Sequence, residues 1–257
     1  MQPKKIVIHP GFHKTGTTTL QAVLRQNRAL LRPYLKSILP GEIKSLLQAA
    51  RGYSMWRDPF TREKFRSRFR APLAKQDQLR GPCLCISTEN LSGHLSGRGS
   101  LGDFSAAIAL TKDMARITTQ TVCSAEIQFY FSTRAAKPWL DSAYWEHVKS
   151  SSMTMDLDTF NTRFSRAGDF DPLLAKIATN VPIAVNRLEE VSPAPWSPLL
   201  TLCGVHDEVQ DNLAQTAPKN LRLPQQALDA LLTANRELAD RRTTKQAIIA
   251  THAEAPS

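Results

Sequence analysis

Four short apolar runs punctuate the chain: Lys5–His9, Pro82–Ser87, Glu126–Ser132 and Val181–Val185. Each is too short for a buried helix and predicts a buried strand. Between them the period changes. After the first run, Leu20, Val23, Leu24, Leu30 and Leu31 fall mostly on one helical face, and Leu173, Leu174 and Ile177 do the same before the fourth. Strand alternating with helix predicts a parallel sheet covered on both faces, an α/β fold. Thr61–Arg70 reads as a further helix, with Phe65 and Phe69 on one face and Arg62, Arg66 and Arg70 on another. It is either a solvated helix resting on its phenylalanines or a contact surface for an acidic acceptor. Leu223–Leu238 predicts a C-terminal helix laid on the sheet through Leu223, Leu228, Leu231 and Leu232. Ser92–Gly102, with four glycines, predicts a mobile loop on the ligand side of the sheet.

With 257 residues, 42% of them hydrophobic, the chain can bury one sizeable core. One domain over 1–251 is expected, with 252–257 a frayed tail. No run of eighteen apolar residues occurs, so no membrane span is expected. The apolar stretch after Met1–Lys5 is too brief for a signal-peptide core, which points to the cytoplasm. Cys83, Cys85, Cys123 and Cys203 form no C-x-x-C pair and read as reduced core thiols. His147 and His206 lack partners at ligand spacing, so no metal is expected. The formal charge of +10 favours anionic ligands. No nucleic-acid-binding motif accompanies it, which leaves phosphates, sulfates or an acidic acceptor as the partners and nucleic acid as none.

The most informative stretch is Ile6–Gln21, where a strand, a tight turn and a helix start follow one another. Gly11 and Gly16 let the backbone turn and approach a ligand, so that loop N–H groups and the helix N-terminus face an anion. The hydroxyls of Thr15, Thr17, Thr18 and Thr19 add donors. The glycine spacing matches G-x-x-x-x-G-K-[ST], yet Thr17 stands where lysine is required and the lysine has moved to Lys14. No predicted strand ends in the aspartate that a magnesium-dependent phosphoryl-transfer site would use, although Glu89 follows the second strand.

The segment His13-Lys14-Thr15-Gly16-Thr17-Thr18-Thr19-Leu20-Gln21 resembles the 5′-phosphosulfate loop of the sulfotransferases that use 3′-phosphoadenosine 5′-phosphosulfate (PAPS). Phe129–Arg134 followed by Trp139–Tyr144 is similar to the family's 3′-phosphate segment, with Arg134 at a strand end and Ser142 eight residues on. Arginine offers a rigid fork of donors suited to phosphate, and a serine hydroxyl near a helix start adds another. Leu84–Leu91 resembles the Ser-Ser/Thr-Glu strand end of bacterial and carbohydrate-type members, and Ile183–Glu189 a later family strand. The likeness covers about a quarter of the chain, and the glycine-rich adenine-side motif of cytosolic members is absent.

The resemblance implies a three-layer, P-loop NTPase-like fold and transfer of a sulfuryl group from PAPS to a hydroxyl, on a small molecule or a glycan, without a metal. It implies donor contacts from His13, Lys14, Thr15, Gly16, Thr17, Thr18, Thr19, Arg134 and Ser142. Lys14 would meet the charge growing on the leaving phosphate, and Glu89 would be the base, with His94 a substitute. A nucleotide-dependent kinase with an unusual loop, and a non-catalytic nucleotide-binding module, are the competing readings.

Overall fold

A computed structural model describes residues 4–75, 82–214, 223–237 and 241–253. Five parallel strands form one sheet in the order β2-β3-β1-β4-β5: β1 (Lys5–His9), β2 (Leu35–Ile38), β3 (Cys83–Ser87), β4 (Glu126–Thr133) and β5 (Ile183–Arg187). β1 is central, with Ile8 opposite Ile86 on one side and Phe129 on the other. Side chains alternate between faces. Ile6, Ile8, Leu84, Ile86, Phe129 and Phe131 enter one apolar core, while Val7, Cys83, Cys85 and Tyr130 enter the other.

Helices cover both cores, giving three layers. Against the second face lie α1 (Thr17–Gln26), through Leu20, Val23 and Leu24, and α10 (Ser197–Leu202), through Leu199 and Leu200. Against the first face lie α3 (Lys44–Trp56), α4 (Pro59–Ala74), α5 (Ala106–Thr121) and α6 (Ala136–Ser150). The chain therefore leaves β1 toward one face and leaves β3 and β4 toward the other. That divergence opens a crevice at the carboxyl ends of the three central strands.

Several expectations need correcting. β2 was not foreseen, because Lys36 and Ser37 interrupt its apolar pattern. The helix after β1 breaks at Asn27, whose side-chain amide donates to the Val23 and Ala214 carbonyls and whose Oδ1 accepts from the Ala214 N–H. Beyond the break, α2 (Arg28–Leu31) buries Leu31 but leaves Leu30 42% exposed. α4 does rest on Phe65 and Phe69, both fully buried, with Arg70 exposed, but Arg62 and Arg66 reach the neighbouring helix. They pair with Asp113 of α5 at 2.7 and 2.9 Å. Ser92–Gly102 is anchored: His147 Nε2 donates to the Ser96 carbonyl at 2.7 Å, and Gly97 packs where a Cβ would meet that imidazole. α12 (Gln225–Glu237) packs on α6 and on α13 (Arg241–Ala253), not mainly on the sheet, and residue 238 lies outside the described residues. His252 belongs to α13, and 254–257 lie outside the described residues. Cys83, Cys85 and Cys203 are buried thiols, but Cys123 is exposed. No described helix is long and apolar enough to cross a membrane.

Candidate functional site

The loop from β1 to α1 turns through three left-handed residues, Gly11 (φ 51°), Lys14 (φ 68°) and Gly16 (φ 86°). Gly16 starts the helix from left-handed backbone that strains any residue with a Cβ, and a Cβ there would also press the Leu188 methyl at 2.8 Å. α1 begins at Thr17 with no side-chain cap, which leaves its first N–H groups directed at the crevice.

Beneath the loop lies a buried polar network. His9 bridges the carboxyl ends of the neighbouring strands, bonding Ser87 Oγ through Nδ1 (2.9 Å) and Ser132 Oγ through Nε2 (3.2 Å). Ser132 also meets Thr15 Oγ1 at 2.8 Å, and that hydroxyl donates to the Phe12 carbonyl at 2.7 Å. Thr15 was expected among the anion donors. Its hydroxyl is instead consumed inside the fold, and it does not line the cavity. Burial holds His9 down to about 4, so the ring is neutral.

Above the network is a cavity of about 480 Å³. Every other expected site residue lines it: His13, Lys14, Gly16, Thr17, Thr18, Thr19, Glu89, His94, Arg134 and Ser142. Glu89 opens the turn after β3, and its carboxylate accepts from Gln21 Nε2 of α1 at 2.8 Å. Burial opposes its charge, but His13, its own backbone N–H, Gln21 and His9 outweigh that and hold the carboxyl below its usual range. Glu89 is therefore ionised at neutral pH.

Burial likewise pushes His13 below its ordinary value, and its Nε2 bonds the Gly93 carbonyl at 3.2 Å. The His13 carbonyl accepts from Trp139 Nε1 at 2.7 Å. His94 is lowered to about 4, first by burial and then by Arg98 and other cations. Its Nδ1 accepts from the Leu95 N–H at 3.0 Å, so the neutral ring carries its proton on Nε2. In this arrangement His94 is a donor, not a base.

Arg134 directly follows β4 and stands 3.7 Å from Glu189, too long for a hydrogen bond, and its Nε has no hydrogen-bond partner. Ser142 lies in the second turn of α6. Three charged lining residues escaped the sequence reading, Glu146, Lys149 and Arg98, together with Leu95, Ser150 and Leu188. Glu146 Oε2 holds Lys14 Nζ at 3.1 Å and Lys149 Nζ at 3.3 Å. Burial opposes the Glu146 charge, yet these two ammonium groups keep its carboxyl below the usual range. The spacing of Ser142 to Glu146, four residues on one helix face, was the available signal. Four cationic side chains thus share the cavity with two carboxylates, beside a helix N-terminus, which suits a multiply charged anion.

No family model matches this chain, and no curated protein matches it.

Proposed function

We propose that this cavity binds PAPS and that the protein is a sulfotransferase acting on a hydroxyl, on a P-loop-like version of the three-layer fold. The supporting observation is that Lys14, Arg134 and Ser142, drawn from β1–α1, β4 and α6, line one cavity with Glu89. In the proposed reaction the helix start at Thr17–Thr19 and Lys14 hold the 5′-phosphosulfate, and Arg134 and Ser142 hold the 3′-phosphate. The acceptor oxygen attacks sulfur in line. The bond from sulfur to the bridging oxygen breaks, and the released phosphate takes the electron pair. Lys14 meets the charge growing on that oxygen, a role whose loss costs roughly 100- to 1000-fold in rate. Glu89 takes the acceptor proton, a contribution on the order of 100- to 10,000-fold.

Calorimetric titration with 3′-phosphoadenosine 5′-phosphate, beside magnesium-ATP, tests the donor site. Micromolar binding without magnesium, lost in Arg134→Ala and not matched by ATP, is expected. Preference for magnesium-ATP would replace this reading with a kinase. Bisphosphate binding with no transfer to any hydroxyl acceptor would leave a nucleotide-binding module.

A further inference from the structure

The turn between α3 and α4 pushes two aromatic side chains into solvent. Trp56, the last residue of α3, is 76% exposed, and Phe60, in the first turn of α4, is 86% exposed. The turn is well tied. Arg57 closes α3 in left-handed backbone and donates to Ser105 Oγ at 2.9 Å, while Asp58 caps α4 by accepting from the Phe60 and Thr61 N–H groups at 2.8 and 2.9 Å. The fold therefore holds both aromatic side chains outward, leaving apolar area in water that burial against a partner would recover. From Phe60 a stripe runs down α4: Lys64 and Arg68 follow at four-residue spacing, with Ser67 and Ala71 on the same exposed face. Glu63, the one acid of α4, lies to the side of this face and pairs with Arg66. No ion pair to Lys64 or Arg68 occurs among the described residues.

We propose that this face of the α3–α4 hairpin docks the protein on an anionic lipid bilayer, with Trp56 and Phe60 entering the headgroup layer while Lys64 and Arg68 lie on the lipid phosphates. The proposal is independent of what the cavity holds. Stable peripheral binding takes two signals, because a small apolar wedge or a few cations alone give only marginal affinity. Both are present here. Tryptophan settles at the membrane–water interface, where its ring is apolar and its N–H is wet. Each lysine or arginine at an anionic surface strengthens partitioning about 5-fold. A protein partner would seat such aromatics at the centre of a patch ringed by further contacts, whereas these cap the end of a helical hairpin among polar neighbours. Duplex nucleic acid would use the cations through its phosphates but gives the aromatic pair at the helix end no role. The turn also sits against the loop that carries His94: Ser54 Oγ accepts from the His94 N–H at 2.9 Å, and Met55 lies against Gly99. Docking in this way brings the His94 side of the cavity toward the lipid surface.

The test uses the full chain with vesicles of phosphatidylcholine, alone or mixed with an equal part of phosphatidylglycerol, read by co-sedimentation and by tryptophan emission. Trp139, Trp145 and Trp196 are all buried, so a blue shift and quenching by lipids brominated in their upper acyl chains report on Trp56. Partitioning into the mixed vesicles should exceed that into phosphatidylcholine alone by about tenfold or more, with both optical signals. Phe60→Ala and Lys64→Gln should each weaken it about 5-fold, Lys64→Arg should preserve it, and Arg25→Gln, on α1 across the sheet, should leave it unchanged. All three positions are exposed, so none of these variants opens the core. Equal binding to neutral vesicles, a Trp56 that does not respond to brominated lipid, or the same loss from Arg25→Gln would overturn the proposal. So would tighter retention on duplex DNA at the same salt, which would assign the face to nucleic acid. A dimer in sedimentation equilibrium that Phe60→Ala dissolves would overturn it too, by assigning the aromatics to a second copy of the chain.

Discussion

Lys14 occupies left-handed backbone at φ 68°, a conformation that costs a residue with a side chain about 1–2 kcal/mol. Its ammonium is held by Glu146, the carboxylate that the proposed phosphosulfate would have to displace. Glu146→Gln removes that competitor and a negative charge from the cavity, so bisphosphate affinity should rise roughly 3- to 10-fold, the effect of one partly screened charge. Calorimetry reads it directly; an unchanged or weaker affinity would show that Glu146 positions Lys14 usefully rather than competing for it. His9 yields a second prediction. Its folded value near 4 lies below the ordinary 6.5, so between those values the unfolded chain binds the proton and the folded chain does not. Its contribution is full above pH 6.5 and is lost as pH falls toward 4, about 3 kcal/mol in all. Thermal melts should show a steeper acid decline for the natural protein than for His9→Gln over that window. At this scale the convergence of Lys14, Arg134 and Glu89 on one cavity was legible from their residue types and local spacing. Glu146, Arg98 and the Thr15 hydroxyl were not, since only tertiary packing decides what each one touches.

The pairing of α4 with α5 turns on one buried carboxylate. Asp113, with its side chain only 3% exposed, receives Arg62 and Arg66 from the neighbouring helix. Burial opposes its charge, but the two guanidinium groups outweigh that and hold its carboxyl below the usual range. Asp113→Asn keeps the shape and removes the charge, which should destabilise the fold by roughly 2 kcal/mol near neutral pH. The sign with pH follows from a depressed carboxylate: the stabilisation is present above about 3.9 and fades as pH falls through the folded value. Chemical denaturation of both forms at pH 7 and pH 3 should therefore show the gap closing; a gap that persists at pH 3 would assign the effect to packing. Four of the five strands were readable from apolar runs: β1 and β3 are buried along nearly their whole length, but β5, expected to be buried, is an edge strand with Val185 40% exposed and was legible only from its apolar residue types. β2 was not, as an edge strand of four residues with Lys36 exposed presents almost no pattern. The register of α6 was similarly hidden, and so was its buttress from α13, where buried Lys245 donates to the Val148 and Ser151 carbonyls at 2.6 Å.

At the scale of the whole molecule, charge acts where contacts cannot. The formal charge of +10 surrounds a crevice that itself holds four cations and two carboxylates, so a polyanion, such as the proposed nucleotide, is attracted before it touches the loop. Screening acts on that long-range part first, because the Debye length shrinks from about 30 Å at 0.01 M salt to about 8 Å at 0.15 M. Contacts inside the cavity are screened less. The association rate of the bisphosphate should fall roughly tenfold across that salt range while its dissociation rate changes little, as stopped-flow measurement would record. Arg134→Ala should behave in the opposite way, raising the dissociation rate while keeping the salt slope of association nearly intact, since one charge of the whole field is lost but a direct phosphate partner disappears. An association rate indifferent to salt would mean that the basic surface does not serve this ligand at all. The cavity would then have to gain its affinity from the contacts of its own lining alone.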